Sequence, residues 1–270
     1  MEVVSYLLGK KAGGGGSEPT GTINITENGT HNVKAYATAN VNVSGGTDTR
    51  WQQIGYEGEP EAIQDGIDYA KEIMQNWDDS ITDRSGSFNG NNDLMFFPEV
   101  DTSNILNAYN MFYNCRRLIS IGDFDFSSIT NAQNMFYYCS SLSEVGDIIL
   151  PNTNIRMQDM FNGCSALKKI GTLTINDKDV TGLFTNCSSL TTIESIQTNV
   201  IRMHQKNFEG CPNLSNDTLK VILNFLKQLT NQHASFKNLK AIGLSQTQAE
   251  LCATFSEWTE LANSGWTTGY

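Results

Sequence analysis

With 270 residues, the chain is long enough to bury a sizeable core in one or two domains. A formal net charge of -11 sets nucleic acid and acidic membrane surfaces aside as partners. No run reaches the roughly 18 apolar residues of a membrane span, since even Leu219 to Leu229 contains Lys220 and Lys227.

The chain opens on a short apolar peptide, Val3, Val4, Tyr6, Leu7 and Leu8, followed by Lys10 and Lys11. Basic residues after the apolar run are in the wrong order for a secretory signal. The peptide reads either as a loose terminus or as an anchor on another chain. Residues 12–17, Ala-Gly-Gly-Gly-Gly-Ser, cannot pack and act as a tether, which closes a first segment at 1–17. In the next segment, 18–46, Thr22 to Thr26 alternates as a half-buried strand and Asn28-Gly29 is the favoured dipeptide of a hairpin turn. A return strand over 30–34 and a third over 39–43 then make a minimal sheet that needs a partner surface or self-association. From Pro60, apolar residues Ile63, Ile67, Ala70, Ile73, Met74 and Trp77 recur at helical spacing. This helix is expected to cover the first turn of a stacked array behind it, giving an N-terminal cap over 47–95.

Between residues 96 and 214 one unit returns with drift: Met-Phe-x-x-Cys-x-x-Leu-x-x-Ile-Gly. Phenylalanine stands at 112, 136, 161, 184 and 208, cysteine at 115, 139, 164, 187 and 211, and leucine at 118, 142, 167, 190 and 214. The period of 23 to 25 residues is that of a unit which cannot bury its own apolar side and must stack on neighbours. On this reading Ile121 to Phe126 and Ile170 to Ile175 are strands with alternate residues inward, and the Met-Phe-x-x-Cys stretches are short helical turns opposite them. Phe97 to Leu106 is a worn half-repeat joining the cap to the array. The fourth and fifth units drift, with Leu183 and Asn207 in the methionine column and Glu194 for glycine. Segment 215–270 supplies a helical C-terminal cap. Ser215-Asn216-Asp217 precedes a helix with Leu219, Ile222, Leu223, Leu226 and Leu229 on one face, and Ser245 with Gln248 and Thr254 with Glu257 have capping-box spacing before two more.

The Phe-x-x-Cys-x-x-Leu columns resemble the BspA-like class of leucine-rich repeats, and Ile129 to Phe136 is close to its variant rich in Thr-Asn-Met-x-x-Met-Phe. The resemblance covers about 120 residues and implies an α/β leucine-rich-repeat solenoid of about five coils with helical caps, preceded by a small β module. The front segment, from Gly21 through Asn28-Gly29-Thr30 to Ala39-Asn40-Val41-Asn42-Val43, is similar to a module of tail and fibre proteins of phages from gut bacteria. The ending Gly265-Trp266-Thr267-Thr268-Gly269-Tyr270 is familiar from the same proteins.

Little in the chain suggests catalysis. The column cysteines lie one repeat apart with no Cys-x-x-Cys partner, so core packing is favoured over metal or redox work. His31, His204 and His233 fall in three separate segments and form no triad. No cofactor and no metal ion is expected. Asp123 and Asp125 share a strand face and are candidates for touching calcium or a sugar hydroxyl, against a plain solvated face. Tyr113, Tyr137 and Tyr138, between the phenylalanine and cysteine of the first two units, should point outward on neighbouring coils. Such a cluster suits carbohydrate or protein contact, with edge packing against the β module or a sister subunit as competitor.

The resemblances together imply a non-catalytic virion surface protein of a phage, made in the host cytoplasm: a fibre, decoration or receptor-binding subunit. Residues 1–46 would join other virion proteins, and the solenoid would meet a host surface glycan or protein. A homo-oligomer is left open, and nucleic acid and membrane insertion are not expected. The alternative is a bacterial cell-surface or secreted adhesin.

Overall fold

The computed structural model describes residues 6–9, 21–25, 33–36, 39–43 and 60–270, apart from 99, 123, 152–154, 176–179, 199–205 and 230–236. It is a chain of mixed helix and strand with a small open sheet of three parallel strands.

The front strands do not form the expected hairpin. Strand β1 (Tyr6–Gly9) pairs in parallel with β3 (Val33–Tyr36), and β2 (Gly21–Ile25) pairs in parallel with β4 (Ala39–Val43). A two-residue turn at 28 and 29 would set Ile23 opposite Lys34 and Ile25 opposite Asn32. The parallel register instead sets Ile23 beside Val41 and Ile25 beside Val43. Of the apolar N-terminal peptide, Tyr6, Leu7 and Leu8 lie in β1 and are paired within the chain itself, while Val3 and Val4 fall outside the described residues.

Helix α1 (Pro60–Asn76) begins on a proline whose missing N–H costs nothing at a first turn. Tyr69, Ile73 and Trp77 pack against the core. The Trp77 indole N–H donates to the Asp101 carbonyl at 2.9 Å, and its ring meets Phe97 edge-on at 5.5 Å. The expected capping helix is therefore present, but the unit-to-unit pairing reaches back into 47–95. Asp83 bridges Asn107, and the Arg84, Gly86, Phe88 and Gly90 amides donate to carbonyls of residues 107, 109, 111 and 113. Phe88 and Leu94 stand in the phenylalanine and leucine columns, and Asn91 stands where a cysteine is expected. The Asn91 amide nitrogen donates to the Tyr69 hydroxyl at 2.8 Å, tying this first unit to α1.

The Met-Phe-x-x-Cys stretches are not helical. Alternate amides serve two purposes: those of Ala108, Asn110, Phe112 and Asn114 donate to the next unit, while those of Met111, Tyr113 and Cys115 close back three residues. This alternation needs left-handed backbone at the residue before each methionine position and again four residues on. Asn110 and Asn114, Asn134 and Tyr138, Asp159 and Gly163, Gly182 and Asn186, and Lys206 and Gly210 all have positive φ. Asn, Asp and Gly tolerate that conformation best, which accounts for most of these identities.

Inside, the rings of Phe88, Phe112, Phe136, Phe161, Phe184 and Phe208 lie face to face, with neighbouring centroids 5.2 to 5.9 Å apart. The column cysteines and leucines are buried beside them in one contiguous core. Asn207, wholly buried in the methionine column, accepts from the Leu183 amide at 3.1 Å and donates to the Val180 carbonyl at 3.2 Å. The drift at this position thus supplies hydrogen bonds that a methionine cannot.

Opposite these turns lie β5 (Glu144–Val145), β6 (Lys169–Ile175) and β7 (Thr192–Thr198). Strict alternation fails there. The register keeps one offset, pairing Ile170 with Ile193 and Thr172 with Ser195, and the buried positions of β6, Ile170, Gly171, Leu173, Thr174 and Ile175, do not alternate. A side chain at Gly171 would collide with the Asp147 carboxylate. Ile121 to Phe126 is not a regular strand: its neighbour in the preceding unit carries Pro98, which has no N–H for a ladder. There the Asp125 amide donates instead to the Thr102 hydroxyl at 2.7 Å.

The C-terminal helices close the stack. Helix α2 (Asn216–Lys227) is capped by Ser215 and buries Leu219, Ile222, Leu223, Phe225 and Leu226. Its Thr218 hydroxyl donates to Thr191 and accepts from the Ile193 amide, covering the start of β7. Helix α3 (Gln246–Cys252) has the expected capping box of Ser245 and Gln248. Helix α4 (Ser256–Asn263) lacks the expected Thr254 cap: Phe255 is its N-cap and the Thr254 hydroxyl donates to Leu251. Trp266 is buried and Trp258 half-buried. Among the described residues no helix is long and apolar enough to cross a membrane.

Candidate functional site

The structure brings Tyr113, Tyr137 and Tyr138 together. Each occupies one of the two places between a phenylalanine and a cysteine, where the backbone ladder to the next unit fixes its position. Tyr113 and Tyr137 lie one above the other with ring centroids 5.0 Å apart and planes 5° from parallel. Tyr138 meets Tyr137 edge-on at 4.7 Å and keeps 44% of its surface exposed. Burial, then the neighbouring Tyr138 and Tyr113 phenols and the Asp159 carboxylate, push the ionisation of Tyr137 up. The cluster is a neutral aromatic surface on a rigid support, offering large contact area at little cost in side-chain entropy.

Gly163 is the part that residue spacing did not single out. It occupies, one unit on, the place of Tyr138, with φ of 80°, and a Cβ built there would lie 2.8 Å from the Tyr138 ring. The bare backbone lets the ring lie across the next unit. Gly163→Ala should cost about 1–2 kcal/mol from left-handed backbone alone and displace Tyr138 as well. Gly90→Ala, at φ of 71° with nothing within 4 Å, is its control for strain without collision. Urea melts and near-ultraviolet circular dichroism separate the two effects. The tyrosine signal should change only in Gly163→Ala, and a change of equal size in both would contradict the platform.

Asp125, the described half of the expected acidic pair, is held in a turn. Its carboxylate accepts from the Ser127 amide at 2.7 Å, as Asp101 does from Ser103 and Asp78 from Ser80, so it shapes a recurring turn. Asp123 lies outside the described residues, as do His31, His204 and His233. Among the described residues no three His, Cys, Asp or Glu side chains gather where they could hold a metal ion.

The cysteine column is buried as free thiols. Each thiol donates to the phenylalanine carbonyl of the preceding unit: Cys115 to Phe88, Cys139 to Phe112, Cys164 to Phe136, Cys187 to Phe161 and Cys211 to Phe184, at 2.8 to 3.1 Å. A small apolar residue would fill the space without supplying this bond, which explains why cysteine recurs. Burial pushes the Cys115 thiol up to about 12 and raises Cys139, Cys164 and Cys187 as well. The column is therefore unsuited to nucleophilic work, which needs the thiolate.

Residues 62–173, spanning most of α1 and the units as far as β6, match a family described as Mycoplasma protein of unknown function, DUF285. No curated protein and no solved structure matches the chain.

Proposed function

We propose that the chain is a non-catalytic recognition protein of a virion surface, its stacked units forming a BspA-like leucine-rich-repeat solenoid that carries the tyrosine cluster to a bacterial surface glycan or protein. The observation that carries the recognition role is the cluster itself, three rings on adjacent units joined through Tyr137, with Tyr138 exposed. The repeat columns support the solenoid: units paired by backbone hydrogen bonds, with phenylalanine, cysteine and leucine buried at the same place in each. The virion assignment rests on the likeness of the front segment and of the last residues to phage tail and fibre proteins. Residues 1–46 would then make the attachment to other virion proteins.

The family match favours a second reading, a bacterial cell-surface or secreted adhesin, because the family is described from Mycoplasma. Mass spectrometry of purified particles against washed cell envelopes separates the two locations. For recognition, full-length protein carrying Tyr137→Ser and Tyr138→Ser together should lose at least tenfold in retention on susceptible bacteria while its melting temperature stays near that of the parent. Retention unchanged by the double substitution would sink the role of the cluster.

A further inference from the structure

A cleft of about 800 Å³ lies between the unit of Phe208 and the C-terminal segment, lined by Lys206, Glu209, Gly210, Pro212, Lys240 and Tyr270 among others. Its volume is that of a site for a small molecule such as a disaccharide.

The cleft exists because the repeat is cut short. In unit after unit the residue before the cysteine position, held by Asn91 in the first unit, donates its amide to the next unit: Gly90 to Tyr113, Asn114 to Tyr137, Tyr138 to Asn162, Gly163 to Thr185 and Asn186 to Glu209. Gly210 is next in this column. The segment stacked on it accepts from Lys206 at Ala241 and from Phe208 at Ile242, then turns away at Gly243, whose amide closes back on Lys240. The Gly210 amide is left with no acceptor among the described residues, on the wall of the cleft.

Two ammonium groups accompany that donor. Lys206 reaches Glu209 at 3.2 Å, and Lys240 sits 4.9 Å from the centre of the Tyr270 ring. The lining side chains thus carry two cations and one anion, within a chain of net charge -11. The Tyr270 hydroxyl donates to the Leu244 carbonyl at 2.7 Å, which holds the ring in place while 52% of the residue stays exposed. Pro212 adds apolar surface to the same cleft.

We infer that this cleft binds a saccharide bearing a carboxylate, such as a uronic acid residue of a surface polysaccharide. The sugar's C–H face packs on Tyr270, since aromatic rings offer apolar area with a polar tip. The carboxylate takes the Gly210 amide and the ammonium groups of Lys240 and Lys206, charge-assisted bonds stronger than neutral ones. Glu209 remains to accept from ring hydroxyls. This site is distinct from the tyrosine cluster and stands or falls without it.

The test titrates full-length ¹⁵N-labelled protein with digalacturonate, with lactose as neutral disaccharide, and with acetate. Digalacturonate should shift the Gly210 amide resonance and saturate, with Lys240→Gln and Tyr270→Ala each weakening binding at least fivefold and Tyr137→Ser leaving it unchanged. Both substitutions lie on exposed side chains, and circular dichroism checks that the fold is retained. Lactose binding as tightly as digalacturonate overturns the carboxylate, and acetate binding as tightly overturns the saccharide. Saturation without movement of Gly210, or no binding of digalacturonate at millimolar concentration, overturns the site.

Discussion

Phe136→Ala is expected to lower the unfolding free energy by about 3–5 kcal/mol. The residue has no exposed surface, and its ring is held between Phe112 at 5.3 Å and Phe161 at 5.2 Å, within 6° and 10° of parallel. Truncation forfeits both faces of contact, each worth about 0.5–1.5 kcal/mol beyond its area. The cavity does not collapse readily. Its walls are rings whose own backbones are fixed by the Phe112 to Met135 and Phe161 to Leu183 hydrogen bonds. Phe208→Ala should cost less, because that ring ends the column with one stacked neighbour, 5.9 Å away and tilted by 19°. Urea denaturation of the two variants measures the difference. A loss for Phe136→Ala of about 1 kcal/mol or less, or a larger loss at Phe208, would contradict a continuous ring column.

The phenylalanine, cysteine and leucine columns were legible in sequence because each repeats a residue identity at fixed spacing, and identity at that spacing is what a stacked core demands. The first unit was not, because Ser87 and Asn91 replace its methionine and cysteine. A second signal would have found it. The left-handed positions fall in pairs four apart, and Gly86 and Gly90 open that series just as Asn110 and Asn114 continue it. The front strands went wrong for the opposite reason: Asn28-Gly29 is a local cue, whereas the pairing of Ile23 with Val41 joins residues far apart in sequence. The failure of alternation in β6 was equally hidden, since the carboxylate that crowds Gly171, that of Asp147, lies in the neighbouring unit. At the candidate site the same logic holds. Three tyrosines on two neighbouring units could be placed together from spacing alone, but the support Gly163 gives to Tyr138, and the Gly210 amide without an acceptor among the described residues, depend on the path of the adjoining unit.

The thiol column makes the fold sensitive to alkali. An unfolded cysteine ionises near about 8.5, whereas burial holds Cys115 and Cys252 up to about 12. Burial is also the first cause of the upward shifts of Cys139, Cys164 and Cys187, with neighbouring thiols adding to it for Cys139 and Cys187. Because the folded values are raised, the stabilising effect is complete below the unfolded value and is lost as pH climbs from there towards the folded values. Over that window the unfolded chain has released protons that the folded chain retains, so stability falls by about 1.4 kcal/mol per pH unit for each thiol. Five thiols together give a slope of roughly 7 kcal/mol per unit, against the 5–15 kcal/mol or so that holds a typical domain folded. Cooperative unfolding is therefore expected within about one to two units above pH 8.5, followed by circular dichroism under reducing conditions. The thiols should likewise resist a disulfide reagent at pH 8 in the native protein and react fully in guanidinium chloride. Cys139→Ala should reduce the alkaline slope by about a fifth even though it lowers stability at neutral pH, since the carbonyl of Phe112 loses one of its two donors, keeping the Cys115 amide. Unfolding free energy that stays level to pH 10.5 would mean that the column is open to water, and the hydrogen-bonded thiol ladder would have to be abandoned.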